Sequence, residues 1–308
     1  MSANRLQTPV AIVVFQRLDT TSQLLARIRE ARPRTLLVAA DGPRPQVPGE
    51  AARCAAVRKL FERVDWDCEV LTSYSEENLG CDQRLATGIQ WAFEQVEEAI
   101  ILEDDALPHP TFFPFCQELL ERYRHDTRIM AISGTSFVAD RVKGPQKYSY
   151  YFGPGGGFWG WASWRRAYKM YDYDMKLWPE IRDDRWLANI FDRRDVQNYI
   201  FRAFEEAGTG RILAWSYRWA FACMVQSGMG IYPFVNLVSN LGFGAGDATR
   251  TANPRDFWAN LPTAAVDFPL RHPPFVIRDK RMENLAFRRL QQKPPGKLGR
   301  FWPWPRGG

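Results

Sequence analysis

Three consecutive carboxylates, Glu103, Asp104 and Asp105, close the apolar run Ala99-Ile100-Ile101-Leu102. Adjacent acids with no interleaved Lys or Arg repel one another, and an oxygen-loving divalent cation such as Mg²⁺ or Mn²⁺ removes that cost. The apolar part is too short for an ordinary helix and β-branched at its centre, so it reads as a strand buried on both faces. The acids then stand at its carboxyl end, where open α/β sheets take ligands in the crevice beyond the strand termini. A strand running into a solvated acidic turn is the competing reading of these residues alone.

The elements that must position such a site alternate along the first half. Residues 10–15 form a continuous β-branched run, and Asp19-Thr20-Thr21-Ser22 can cap a helix carrying Leu24, Leu25 and Ile28 until Pro33 stops it. Residues 35–40 make a second strand, closed by Asp41-Gly42-Pro43. A helix over about 50–64 carries Ala55, Ala56, Leu60 and Phe61 on one face. Residues 69–74 make a third strand, and the loop 76–80 leads to a helix near 83–96 before the acidic strand. Strands spaced by helices of this length imply an α/β, doubly wound, mainly parallel sheet with right-handed crossovers and helices on both faces.

In that architecture the strand ends share one edge. Arg17 follows strand one, Asp41 follows strand two, Arg84 lies just past the Asn78-Leu79-Gly80 turn after strand three, and the acids follow strand four. Carboxylates alone suit a metal, whereas added arginines suit the phosphates that a metal bridges. Taken singly, Arg17 or Arg84 reads equally as a surface ion-pair partner. No Walker lysine loop and no G-x-G-x-x-G follows strand one, which argues against a P-loop ATPase and a dinucleotide dehydrogenase.

The 308 residues suffice for one large domain or two unequal ones, and 45% hydrophobic with 25% charged residues is ordinary for a globular chain. A formal charge of +6 favours anionic partners, but the basic excess is concentrated from Arg278 to Arg306 and no nucleic-acid motif is present, so nucleic acid is not expected. The first residues carry no long apolar stretch, and no segment approaches the ~18 uncharged apolar residues of a membrane span. Five scattered cysteines without metal-ligand spacing point to a reduced, cytoplasmic compartment.

The stretch from Glu103 through Ala106-Leu107-Pro108-His109-Pro110-Thr111 to Phe112-Phe113 resembles the acidic signature of GT-A glycosyltransferases related to N-acetylglucosaminyltransferase I. There a Glu-Asp-Asp triplet stands where others carry Asp-x-Asp and is followed by Pro-x-Phe-Phe. The opening strand with its Arg and the Asp-Gly after strand two match that pattern. Gly160-Trp161-Ala162-Ser163-Trp164-Arg165-Arg166 and Asn236-Leu237-Val238-Ser239-Asn240-Leu241-Gly242-Phe243-Gly244 resemble a bacterial, haemolysin-like branch of nucleotide-diphospho-sugar transferases. The resemblance covers roughly residues 9–251. It implies a GT-A-like fold and a nucleotide-sugar donor, with Mn²⁺ or Mg²⁺ bridging the diphosphate to Asp105. It also implies Glu103 and Asp104 facing ribose or sugar hydroxyls, and Asp41 and Arg17 near the nucleoside. The expected reaction is hexosyl or N-acetylhexosaminyl transfer, with inversion, to a glycan or lipid-linked hydroxyl acceptor, as in polysaccharide biosynthesis.

The expected divisions are a nucleotide-sugar-binding half, 1–135, an aromatic-rich acceptor-side half of the same domain, 136–277, and a basic, Pro/Trp-rich tail, 278–308. Most of the 12 Trp lie past residue 150. The glycines of 153–160 beside Trp159 and Trp161 fit a mobile lid with Trp161 against the donor, or a hinge beside an aromatic core. Helices are expected near 195–206 and 217–226, and a strand at 230–233. Where the relatives have Trp-Asp-Tyr, this chain has Trp215-Ser216-Tyr217, and where they end Ala-Thr-His-Thr it has Ala248-Thr249-Arg250-Thr251. A serine cannot serve unaided as the base. Asp184 and Asp247 are then the candidate catalytic acids, unless transfer is impaired. Two other classes stay open: a sugar nucleotidyltransferase, although Phe15-Gln16-Arg17-Leu18-Asp19 lacks the glycine-rich loop expected of one, and a non-catalytic nucleotide-sugar- or glycan-binding protein. Within the tail, residues 293–306 alternate cations and aromatics in a proline-rich context, suited to peripheral contact with an anionic inner membrane face or to a solvated, disordered state.

Overall fold

The structure, a computed structural model, describes residues 5–156, 159–244, 259 and 261–291. The chain runs β1 (Val10–Val14), α1 (Leu18–Ala31), β2 (Thr35–Ala40), α2 (Glu50–Leu60), β3 (Glu69–Tyr74), α3 (Cys81–Gln95), β4 (Glu98–Glu103), β5 (Ala106–Pro108), α4 (Phe112–Tyr123) and β6 (Ile129–Ser133). It continues through β7 (Tyr150–Pro154), β8 (Trp161–Trp164), α5 (Arg165–Tyr168), α6 (Trp178–Asp183), α7 (Leu187–Ile190), α8 (Arg194–Gly208), α9 (Trp215–Val225), β9 (Met229–Pro233), β10 (Val238–Asn240) and α10 (Lys280–Leu290).

Eight strands form one sheet in the order β3-β2-β1-β4-β8-β6-β9-β7. The first four pair in parallel, as their spacing by helices predicts, with Ile12 opposite Val38 and Leu102. Strand β8 runs antiparallel between β4 and β6, and β7 antiparallel to β9, so the second half extends the sheet in mixed orientation. A two-stranded antiparallel sheet, β10 with β5, stands beside it.

Period-two side chains divide the core by faces. Val10, Ile12, Val14, Leu36, Val38, Ile100 and Leu102 point to the side covered by Leu24 and Ile28 of α1, Val57 of α2 and the aromatics of α4. Ala11, Leu37, Ala99 and Ile101 point to the side covered by Leu85 and Ile89 of α3 and Trp215 and Trp219 of α9. Both faces of β4 are therefore dry, and the chain can expose charge only where the strand ends.

The helix expected over 50–64 stops at Leu60, and a 3₁₀ turn over Phe61–Arg63 completes it. The segment expected as a tail begins with an ordered helix instead. Asp279 caps α10 by accepting the N–H groups of Arg281 and Met282 at 3.0 and 3.1 Å. Met282 packs with Val138, Tyr151 and Tyr232, and Phe287 sets its ring 5.4 Å from Phe191. Residues 292–308, with the Pro/Trp-rich stretch, lie outside the described residues. Among the described residues no helix is long and apolar enough to cross a membrane.

Candidate active site

The acids at the end of β4 meet the end of β1. The Phe15 N–H donates to Asp104 Oδ2 at 3.2 Å, and Arg17 Nη1 lies 2.7 Å from Asp105 Oδ2 and 3.5 Å from Asp104 Oδ1. With the Arg17 side chain 20% exposed and that of Asp105 12%, the pair is largely out of water and less screened than an ion pair on the open surface.

The small sheet brings the third wall. Pairing of β5 with β10 sets Asn240 opposite Ala106, and Asn240 Nδ2 donates to Asp105 Oδ1 at 3.3 Å. The Leu241 N–H donates to the Asp105 carbonyl at 2.8 Å, and the Gly242 N–H to Asn240 Oδ1, also at 2.8 Å. A Cβ on residue 242 would fall 2.1 Å from Asp105 Oδ2 and 3.0 Å from Arg17 Nη1, so the approach requires glycine. Asn240 and Gly242 belong to a stretch that sequence reading marked only as a motif. Their contact with Asp105 arises from the β10 return.

The two aspartates and Arg17 suit a hard cation carrying an anionic ligand, with carboxylate oxygens for the metal and a fork of N–H donors for phosphate. Among the described residues no group of three or more His, Cys, Asp or Glu side chains surrounds a metal position. One or two carboxylates are a sufficient protein contribution where a substrate diphosphate and water complete the coordination of Mg²⁺. Glu103 lies half-buried one residue before Asp104, at the last position of β4.

Asp41 reaches the same edge in a different role from that expected. Its Oδ1 accepts the N–H of Gly42 at 3.0 Å and of Leu79 at 2.9 Å. Its Oδ2 accepts from Asn78 Nδ2 and the Gly80 N–H, each at 3.0 Å. This buried carboxylate staples the loop after β3 to the end of β2 and spends its oxygens there. Arg84 also turns away from the acids. It is buried on α3, donates through Nη2 to the Ser73 carbonyl and, at 3.2 Å, to Ser73 Oγ, and burial lowers its pKa. Around the loop after β2, Glu50 takes Arg44, while Arg53 Nε donates to Gln16 Oε1 at 2.8 Å.

Trp161 corrects the expectation of a donor-stacking residue. It is 1% exposed and packed in the core, with ring centroids 5.6 Å from both Trp215 and Trp219, so no face is left for a ligand. Gly155 before it is likewise packed rather than part of a lid, and Gly157 lies outside the described residues. The Gly155 N–H donates to the Gly228 carbonyl at 3.0 Å, and a Cβ at 155 would sit 2.4 Å from that of Cys223. Close approach of β7 to α9 and β9 is what the glycine allows. Asp184 stands exposed just past α6, which packs on α8 around Trp178 and Phe204, a cluster separate from both sheet faces. It is not joined to the strand-end acids. Asp247 lies outside the described residues. Ser216 is half-exposed in the first turn of α9, and the stacking of Trp215 on Trp161, itself opposite Ile101, sets that turn close to the end of β4.

The sequence matches no protein-family model and no curated protein. Solved structures with similarity include a galactosyltransferase, LgtC, in complex with donor and acceptor sugar analogues, at 12% identity and a TM-score of 0.36, over 94% of this chain and 98% of that one. A UDP-glucose pyrophosphorylase complexed with UDP-glucose shows 10% identity and a TM-score of 0.29 over 53% and 79% of the two chains. The 4-diphosphocytidyl-2C-methyl-D-erythritol synthase of Anaerococcus prevotii shows 14% identity and a TM-score of 0.34 over 65% and 83%. At these scores and identities the likenesses decide nothing about the chemistry of this chain.

Proposed function

We propose that the protein is a metal-dependent glycosyltransferase that moves a sugar from a nucleoside-diphosphate donor to a hydroxyl acceptor. The observation that carries this reading is the single cluster of Arg17, Asp104 and Asp105 where β1 and β4 end, closed by Asn240 and Gly242. Phosphate-binding arginine and metal-binding carboxylate are held side by side, at the edge where doubly wound sheets take nucleotides.

In this reading Asp105, with help from Asp104, would hold Mn²⁺ or Mg²⁺, which would supply Lewis-acid stabilisation to the leaving diphosphate. Arg17 adds a charge-assisted bond to the same leaving group as its negative charge grows. Asn240 fixes the rotamer of Asp105, and the Asp41 staple holds the loop after β3 so that the nucleoside side of the cleft keeps its shape.

The test is a thermal-shift screen of UDP-, GDP- and CDP-sugars with and without Mn²⁺, since a ligand that binds only the folded state raises apparent stability. Calorimetry on Asp105→Ala follows with whichever donor stabilises the wild type. Metal-dependent donor binding in the wild type that is lost in the variant, with its fold unchanged by circular dichroism, is the expected result. Equal affinity in the two proteins overturns the metal assignment.

A further inference from the structure

Residues 165–173 run back along α3. Arg165 Nε donates to the Phe93 carbonyl, Tyr168 Oη to the Ala86 carbonyl at 3.2 Å, and Tyr173 Oη to Asp82 Oδ2 at 2.7 Å. Helix α3 begins immediately after Gly80, whose N–H is bonded to Asp41 at the end of β2. The return path therefore carries the chain from the far edge of the sheet to the ligand edge, and Tyr173 arrives there.

What Tyr173 meets is an ion pair fixed in the interior. Arg218 Nη1 lies 2.8 Å from Asp82 Oδ1 and 2.7 Å from Oδ2, and both residues are 4% exposed. The Arg218 guanidinium carbon also stands 4.4 Å from the centre of the Tyr173 ring, a cation–π contact that holds the ring in place. Arg218 is in the first turns of α9, the helix on which Ser216 stands where the resemblance would have an acid.

A phenol has one proton and two lone pairs, while a carboxylate only accepts. The proton of Tyr173 is thus committed to Asp82, and the lone pairs of Oη are left for a donor from outside. Tyr173 is 36% exposed, against 4% for Asp82 and Arg218, so it is the member of the network that reaches the surface. We infer that Tyr173 accepts the hydrogen bond of the attacking acceptor hydroxyl, with Asp82 and Arg218 as its positioning residues, an inference that rests on the glycosyltransferase reading above. The nucleophile is thereby aimed by a residue whose orientation was settled on folding, which is where proximity contributes to rate.

Tyr173→Phe keeps the ring under Arg218 and removes only the hydroxyl. UDP-glucose, UDP-galactose, UDP-N-acetylglucosamine and GDP-mannose are offered with Mn²⁺ to both proteins. Donor affinity is read by calorimetry, and turnover by nucleoside-diphosphate release with water as acceptor. The expected result is unchanged donor affinity with release slowed about tenfold, the loss of one oriented hydrogen bond in the transition state. Asp82→Asn, which removes the carboxylate that commits the tyrosine proton, should lower kcat and leave the donor KM in place when the rate is divided by the donor-binding sites that calorimetry counts, a normalisation that removes the fall in apparent kcat caused by loss of folded protein. Unchanged release by Tyr173→Phe with intact donor binding overturns the role of Tyr173 alone. Absence of donor binding in wild type and variant alike overturns the donor reading, and this inference with it.

Discussion

Arg17 Nη1 lies within 2.7 Å of Asp105 Oδ2 and 3.5 Å of Asp104 Oδ1, so one guanidinium balances two carboxylates adjacent in sequence. The three side chains come from the ends of strands that are neighbours in the sheet, β1 and β4. Under the proposed function a cation held by Asp105 would meet this guanidinium first, and the arginine would be at hand for the anion that the cation carries.

Arg17→Ala should therefore act in opposite directions on the two ligands. Without the guanidinium the aspartates repel each other more strongly, and Mn²⁺ alone should bind several-fold more tightly than to the wild type. Donor affinity should fall by about tenfold or more, because a hydrogen bond to a charged group contributes roughly 1.5–3 kcal/mol. Free Mn²⁺ measured by electron paramagnetic resonance, together with donor calorimetry, reads both effects. A variant that binds Mn²⁺ more weakly than the wild type would count against the competition.

Gly242→Ala tests the closeness of the third wall. The added methyl would lie 2.1 Å from Asp105 Oδ2 and 2.9 Å from its Cγ, too close for either to remain. Overpacking of this kind costs about 1–3 kcal/mol, and here the displaced group is the proposed metal ligand. Denaturant titration should show a modest loss of stability, and calorimetry a loss of metal-dependent donor binding. Full donor affinity in a stably folded variant would place the ligand elsewhere.

The parallel strands and the acidic edge were legible because each is written locally. Alternating burial makes Val10, Ile12 and Val14 face one layer and Ala11 the other, and charge appears only where the apolar run of β4 stops. The partners of those acids were less legible, since Asn240 is 135 residues from Asp105 and meets it only through the β5–β10 pairing. Trp161 was misread because a glycine-rich aromatic stretch has the same composition whether its rings line a cleft or close a core. Asp41 was placed at the right edge, but its hydrogen bonds to residues 78–80 depend on how the loop after β3 folds back, which no periodicity records. Tyr173 carried no signal of its own; its partner Asp82 is 91 residues away.

The loop after β2 is tied to α2 by an ion pair between Arg44 and the buried Glu50 that should make stability sensitive to acid. Glu50, the first residue of α2, has a fully buried side chain. It accepts from the Arg44 N–H at 2.6 Å and from Arg44 Nη2 at 2.5 Å, with Arg53 Nη2 4.0 Å away. The hydrogen bonds from Arg44 hold its pKa below the ordinary 4.5, against the opposing effect of burial. A carboxyl whose folded pKa is depressed binds its proton more readily in the unfolded chain. Its contribution is therefore complete above the unfolded value and is lost as pH falls through the lower, folded one. Glu50→Gln cannot ionise, so the stability gap between wild type and variant should be widest at neutral pH and should narrow on acidification through 4.5 and below. Urea titrations of both proteins at a series of pH values read the gap directly. If it stays constant across that range, the Arg44–Glu50 contact contributes through packing rather than charge. If it narrows as expected, the same series run on Arg44→Ala should show a pH dependence flattened in the same window, since the partner that lowers the Glu50 pKa is then gone.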